Sequence, residues 1–130
     1  MALPTDANVA LLICDGARQT PDGKLDIAGY YPISEVKIDP AEKLPAHLNL
    51  TFVYILKDGE GRFRAKHRIV DPLGKELHNF DVPDSITMAA GKSHILFLPV
   101  GLIPIANAGN YSIVLELDRH PYRRTIRIFQ

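Results

Sequence analysis

Cysteine is almost missing from this sequence, since Cys14 is the only one among 130 residues. A single thiol cannot form an intrachain disulfide, and it cannot supply a cysteine-based zinc site. Cys14 lies in an apolar run beside Asp15, whose negative charge disfavours the thiolate that a catalytic cysteine requires. We therefore expect a buried thiol without a catalytic role.

The sequence also lacks net charge and long apolar runs. Fifteen Lys and Arg residues balance fifteen Asp and Glu residues, which gives no overall attraction to nucleic acid or to an anionic membrane and only weak self-repulsion. The longest apolar stretch, residues 95–106, contains prolines and is about half as long as a membrane-spanning helix. Residues 1–6 lack the basic start and apolar run of a secretory signal. These features predict a cytoplasmic protein without membrane or nucleic-acid partners.

Motifs of the common catalytic and nucleotide-binding classes are missing too. The P-loop, the Gly-x-Gly-x-x-Gly fingerprint and the Gly-x-Ser-x-Gly nucleophile elbow do not occur. The five histidines show neither His-x-His nor His-x₃-His spacing, so no metal site can be assigned from spacing. The sequence predicts no enzyme activity, cofactor or metal. A metal-dependent site in which His or Asp residues converge in space remains an open alternative.

What the sequence does have is a series of short β-rich runs separated by turn residues. No segment has ten residues of helical periodicity, so the crossover helices of a parallel α/β fold are excluded. About seven to nine short strands at regular spacing predict an all-β sandwich or barrel, in a single domain over residues 1–130. The predicted strands are 8–14, 24–28, 30–38, 47–57, 62–70, 75–82, 93–105, 109–118 and 122–129.

The segments between these runs carry recognisable turn chemistry. Turns are predicted at 20–23 and 71–74, where proline presets φ and glycine tolerates positive φ. The glycines of residues 58–61 predict a hairpin, and residues 84–91 are predicted as a loop. Asp39 begins a helix-like pattern that Pro45 ends, so at most one or two short helical turns are expected.

Two pairs of motifs resemble a known family. One pair is residues 13–18 followed by 23–29, and the other is 70–76 together with 109–112. They resemble a family of small bacterial β-sandwich proteins known only as a domain of unknown function. The resemblance implies an immunoglobulin-like or C2-like two-sheet antiparallel sandwich, a bacterial origin and no assigned catalytic residue.

The residues singled out in these motifs are given structural roles. We expect Tyr111 to pack inward while its hydroxyl group finds a backbone partner. The residues predicted to be structural are Asp15, Gly23, Gly29, Pro72, Gly74, Gly109 and Tyr111.

A basic stripe is the most unusual surface feature. Arg62, Arg64, Lys66 and Arg68 recur at period two, which places them on one face over about 20 Å of strand. Such a stripe suits a polyanion, but it is also typical of a solvated outer face neutralised by acidic residues of a neighbouring strand. No aromatic residue interleaves with it, so stacking on single-stranded bases is not supported.

The functional prediction is a non-enzymatic binding or assembly module that acts through protein–protein contacts. Val53 and Ile55, on the second face of their strand, form a possible self-association patch together with the apolar segment 95–105. The partner is either an unknown protein or a second copy of the chain. The alternatives are a polyanion-binding module that uses the basic stripe, and the metal-dependent site mentioned above.

Overall fold

The computed structural model describes residues 2–130, so Met1, part of the predicted domain and of the N-terminal segment discussed above, lies outside it. The described residues form twelve strands and one short 3-10 helix, Asp6–Asn8, which confirms the all-β prediction. In chain order the strands are β1 Val9–Cys14, β2 Gly16–Gln19, β3 Leu25–Ala28, β4 Glu35–Lys37, β5 Ala46–Leu56, β6 Gly61–Phe63, β7 Ala65–Val70, β8 Glu76–Asp81, β9 Ile86–Met88, β10 His94–Ile105, β11 Gly109–Leu117 and β12 His120–Phe129. No helix among these residues is long and apolar enough to cross a membrane.

The strands form two larger sheets and two small ones. The three-stranded sheet has the order β1-β5-β10, and the five-stranded sheet has the order β4-β12-β11-β7-β8. The small sheets pair β2 with β3 and β6 with β9. The β4–β12 pair is parallel, and the other strand pairs are antiparallel.

One hydrophobic cluster takes side chains from both larger sheets. The three-stranded sheet contributes alternate residues such as Ile13, Phe52 and Leu98. The five-stranded sheet contributes alternate residues such as Ile69 and Leu115. Since side chains alternate between the faces of a strand, each larger sheet has one face in this cluster and a second face directed away from it.

The basic stripe shows this alternation as predicted. Phe63, Ala65, His67 and Ile69 are buried, while their cationic neighbours are exposed or half-buried. Local patterning therefore identified correctly which face of the segment enters the core.

The predicted hairpin at residues 58–61 is wrong. The strand that follows, β6, pairs with β9 instead of β5. Both sides of β5 are already occupied, by β1 on one side and by β10 on the other. The chain therefore has to leave the three-stranded sheet at this point, although its glycines are suited to a tight turn.

Three short segments also differ from the prediction. Within residues 30–38 only Glu35–Lys37 forms a strand, after a turn in which Ser34 has φ 54°. The helix-like start at Asp39 is a turn, in which the Asp39 side chain accepts a hydrogen bond from the Ala41 N–H at 2.9 Å. The predicted loop 84–91 contains β9. Together with β2 and β6, this strand raises the number above the expected seven to nine.

The first pair of motifs is held by a close approach between Asp15 and Gly29. The Asp15 N–H donates to the carbonyl groups of Ala28 and Gly29, and its carboxylate accepts the Tyr31 hydroxyl at 3.2 Å. A Cβ atom on Gly29, which has φ +64°, would lie 2.0 Å from the Asp15 carboxylate. Only glycine fits this position, which is the physical reason for a structural role.

The second pair of motifs meets where the turn after β7 contacts the first residue of β11. A Cβ atom on Gly109 would lie 2.9 Å from the Pro72 ring, and Gly109 has φ +142°. The Asp71 carboxylate closes the Pro72–Gly74 turn by accepting the N–H groups of residues 73 and 75. The turn at Gly23 likewise closes through a hydrogen bond to the Thr20 carbonyl at 2.9 Å. Tyr111 is buried and donates to the Asn107 carbonyl at 2.6 Å, as expected.

Candidate functional site

The outer face of the three-stranded sheet, here called the apolar face, carries no charged side chain in its three central rows. Pairing of β1, β5 and β10 sets Leu12 beside Val53 and Val53 beside Phe97. Because side chains on the same face of a strand recur every two residues, the rows two residues away on either side belong to this face as well. Its nine positions are Ala10, Leu12, Cys14, Thr51, Val53, Ile55, Ile95, Phe97 and Pro99.

Exposure varies across the apolar face. Val53 is fully buried at its centre, whereas Ile55, Ile95 and Phe97 are half-buried and Pro99 is exposed. Of the two residues predicted as a self-association patch, Ile55 is therefore the accessible one. Val53 is inaccessible.

Cys14 lies at one end of the apolar face and is fully buried. Its thiol donates to the Thr51 carbonyl, with 3.6 Å between Sγ and O. Burial raises the pKa of this thiol, and the nearby Asp15 charge raises it further, while a hydrogen bond from the Gly16 backbone opposes them. The expectation of a buried thiol is confirmed.

The outer face of the five-stranded sheet, here called the charged face, has the opposite chemistry. Its central row places Val114 of β11 between Arg68 of β7 and Arg123 of β12. The next row places Lys66 between Glu116 and Asp81. Charges of both signs therefore lie on this face.

The basic stripe is divided between two sheets. Arg62 lies on β6 and Arg64 follows it, whereas Lys66 and Arg68 lie on the charged face of β7. Asp118, in the β11–β12 turn, fixes the break by accepting the Arg64 N–H at 2.8 Å and donating its own N–H to the Arg64 carbonyl at 2.9 Å.

Acidic residues of neighbouring strands neutralise part of the stripe. Arg68 makes ion pairs with Glu76 at 3.5 Å and with Glu116 at 3.4 Å. A cleft of about 520 Å³ lies beside Lys66, and it is lined by equal numbers of basic and acidic residues: Arg64, Lys66, Arg119, Asp81, Glu116 and Asp118, with Ala65 and Val82. The stripe is therefore part of a mixed-charge surface.

His67 is the polar residue most deeply placed between the two larger sheets. It is fully buried, and its Nε2 lies 2.9 Å from the Tyr54 hydroxyl. His67 is therefore a hydrogen-bonded residue of the core. Burial lowers the pKa of His67 to about 3, with a smaller contribution from the nearby His78.

The hydrogen-bond partner of His67 is the hydroxyl group of Tyr54. Tyr54 is buried, and burial raises its pKa well above the usual range, so it stays a neutral hydroxyl. This hydroxyl hydrogen-bonds to His67 and has no other partner among residues 2–130. Which of the two groups donates in this hydrogen bond is set by the tautomer of the neutral His67 ring. The buried Nδ1 of His67 has no hydrogen-bond partner within the described part of the chain.

His78 of β8 lies next to His67, with ring centroids 5.4 Å apart. Burial lowers the pKa of His78, and the charge of Glu76 partly opposes this. Its Nε2 is also buried without a partner among residues 2–130. The Phe80 ring stacks on the outer side of His78 at 6.2 Å.

The sequence carries no signal for this histidine pair, because its members lie on different strands. His67 alternates with cationic residues, which identifies it as inward-facing, but nothing near His78 indicates that it contacts His67. Their proximity depends on the β7–β8 register, in which His67 lies opposite Phe80 and Ile69 opposite His78. Across residues 2–130, no three His, Cys, Asp or Glu side chains come together in a group that could hold a metal ion.

Comparisons with known proteins give one clear relationship. A comparison with the curated proteins gave no match. The sequence model of a family of unknown function, DUF6941, matches residues 9–128, a range that includes both pairs of turn motifs described above. The chain therefore belongs to this family of unknown function, DUF6941.

Proposed function

We propose that the two larger sheets form an immunoglobulin-like or C2-like sandwich, and that this domain is a non-enzymatic binding or assembly module acting through protein–protein contacts. The single hydrophobic cluster shared by both sheets supports the sandwich. The apolar face supports the contact function, since apolar patches on soluble domains often mark interaction sites.

The composition of the apolar face carries this proposal. On the charged face, positions of the same kind hold Lys66, Arg68 and Glu116. On the apolar face they hold aliphatic and aromatic side chains, with Ile55 and Phe97 half-exposed. An interface core is depleted of charge in the same way. A net charge of zero also leaves little repulsion between two copies of the chain.

Light scattering coupled to chromatography tests the contact function. We expect the mass of the wild-type chain to rise with concentration in both low and high salt, because an apolar interface is not screened. Ile55→Arg should return the mass to that of a monomer. Thr125→Arg is the matched control, since it adds the same side chain at an exposed position opposite Ser112 on the charged face, and it should leave the mass unchanged.

The mass of a monomer at every concentration would exclude self-association and leave an outside protein as the partner. The same two variants then serve in affinity capture. Equal retention of a partner by Ile55→Arg and by the wild-type chain would contradict a role for the apolar face.

Polyanion binding is the second candidate, because part of the basic stripe is free. Arg62, Arg64 and Lys66 make no ion pair with any of residues 2–130. Retention on heparin that falls steeply with salt and is lost in Arg62→Gln/Arg64→Gln would support this function. Elution at low salt would exclude it.

A further inference from the structure

A cleft of about 310 Å³ opens between β8 and β10. It shares no lining residue with the charged cleft, and it meets the apolar face only at Pro99. His78 and Phe80 line it from β8, and Leu98, Pro99 and Val100 line it from β10. These two strands are the outermost strands of their sheets, and within residues 2–130 no strand pairs with the free edge of either. The cleft is therefore reached from the side, where the two larger sheets end.

Both walls of the cleft are shaped by an irregularity in strand pairing. On β10 the pairing with β5 shifts between Pro99 and Gly101, so Val100 has no partner. On β8 the pairing with β7 shifts as well, and Leu77, next to His78, has no partner. Bulges redirect side chains and occur often beside binding and active sites. Two of them flank the same opening here.

The wall of the cleft contains an unsatisfied polar group. His78 Nε2 is buried without a partner among residues 2–130, and Nδ1 of His67 behind it is also unpaired. Buried polar atoms without a partner are rare in proteins, since each loses its hydrogen bonds to water without replacement. The His78 ring is only half-buried and lines the cleft, so a molecule in the cleft contacts this imidazole.

We propose that this cleft is a binding site for a small, uncharged, mainly apolar molecule with one hydrogen-bonding group, which pairs with the imidazole of His78. The lining contains no Lys, Arg, Asp or Glu that would recognise a charged ligand. Burial also lowers the pKa of His78, so the imidazole is neutral at neutral pH and can donate or accept a hydrogen bond.

The volume of the cleft limits the size of the ligand. At about 30 Å³ for each water-sized group, it holds roughly ten non-hydrogen atoms. This lies near the lower end of the volume range of ligand sites. A ligand of this size with one good hydrogen bond has an expected Kd of roughly 0.1 to 1 mM. This site does not depend on the protein–protein contact proposed above.

Acetophenone is a suitable probe, because it combines an aromatic ring with one carbonyl acceptor. Isopropylbenzene has the same shape without the acceptor. We expect acetophenone to cause saturable amide shifts in NMR spectra of the full chain, confined to β8 and to residues 96–102 of β10. Isopropylbenzene should bind at the same place about 3- to 10-fold more weakly, since it lacks one hydrogen bond.

Three variants locate the site. Val100→Trp fills the cleft and should weaken acetophenone binding at least tenfold, whereas Leu73→Trp adds the same indole at an exposed turn position and should leave it unchanged. His78→Phe keeps the ring but removes the hydrogen bond, so it should weaken acetophenone binding and leave isopropylbenzene binding unchanged. If Val100→Trp does not fold, Phe80→Ala removes a partly exposed wall residue and should weaken both probes.

Several outcomes would overturn the proposal. One is the absence of saturable shifts up to the solubility limit of acetophenone. Another is a set of shifts that lies outside β8 and β10 or that survives the cleft-filling variant. Equal affinity of wild type and His78→Phe for acetophenone would reject the hydrogen bond to His78.

Discussion

Val53 and Val114 each lie at the centre of an outer face, one on each of the two larger sheets, and the side chains beside them have opposite chemistry. Both are almost completely inaccessible, at 0% and 1% exposure, and neither belongs to the cluster between the sheets. Val53 lies between Leu12 and Phe97 on the apolar face. Val114 lies between two arginines, whose apolar stems can cover it while their guanidinium groups stay in water.

This comparison separates burial from surface chemistry. A residue can be fully buried on an outer face because its neighbours are apolar throughout, or because they are long charged side chains with apolar stems. The first arrangement leaves a surface suited to another apolar surface, and the second leaves one suited to water. The burial of the central valine alone does not distinguish these cases.

The largest expected effect comes from placing a carboxylate at each of the two centres. Val53→Asp should lower the free energy of unfolding by about 3 to 5 kcal/mol, since it buries a charge with no cation beside it. The decrease in the free energy of unfolding caused by Val114→Asp should be smaller than that of Val53→Asp by at least about 1 kcal/mol. The reason is that Arg68 and Arg123 lie on either side of Val114. Urea denaturation at neutral pH measures both.

Val53→Ala and Val114→Ala are the controls for this pair. They remove the same atoms without adding charge, so their losses should be similar and smaller than that of Val53→Asp. Equal losses in the two aspartate variants would mean that the arginines do not compensate a charge at the centre of the charged face.

Acid titration tests the core layer between the apolar face and the charged face, in which His67 is buried. The pKa of His67 is about 3 in the folded chain and near 6.5 in an unfolded chain. Between these values the unfolded state binds more protons, so the free energy of unfolding falls as the pH is lowered, by at most about 1.4 kcal/mol per pH unit from this group. Above pH 6.5 this group contributes no pH dependence.

Urea denaturation from pH 7.5 down to pH 5 checks this prediction. His67→Phe removes the titrating group, so its curve should be flatter than that of wild type over the same range. If the variant loses stability with acid as steeply as wild type, the acid response arises elsewhere in the molecule.

The smallest expected effect concerns the ion pairs on the charged face. Arg68→Gln removes contacts with Glu76 and Glu116 that are partly open to solvent, so the loss in unfolding free energy should be about 0.5 kcal/mol in low salt and less in high salt. Ile55→Gln on the apolar face should lower the free energy of unfolding by more than Arg68→Gln does, and this loss should not depend on salt. If the losses of unfolding free energy in both variants depended on salt, this would argue against the difference in chemistry between the apolar face and the charged face.

Local sequence patterns predicted the features that depend on neighbouring residues. The alternation over residues 62–70 placed His67 inside, the Pro72–Gly74 turn closed as expected, and Tyr111 found its backbone partner. In each case the determining contact lies within a few residues along the chain. Hydrophobic periodicity, positive φ and side-chain hydrogen bonds to nearby backbone atoms fix such features directly.

Strand pairing could not be predicted in this way. The glycines of residues 58–61 suit a hairpin, yet β6 pairs with β9, about 25 residues further on, because β5 already has two neighbours. The apolar run of β1 indicated a strand with two apolar faces. It did not indicate that β5 and β10 would add their own apolar residues beside it to form the apolar face.

The sequence by itself determined that this chain is all-β, where most of its strands and turns lie, and, in strands that alternate polar and apolar residues, which side faces inward. The tertiary structure alone decided which strands are neighbours. It thereby decided that nine uncharged positions form one face, that the basic stripe meets acidic partners, and that His67 and His78 touch beside a cleft. The physical reason is that backbone hydrogen bonds between strands are the same for every sequence, so the partner of a strand is chosen by the packing of the whole core.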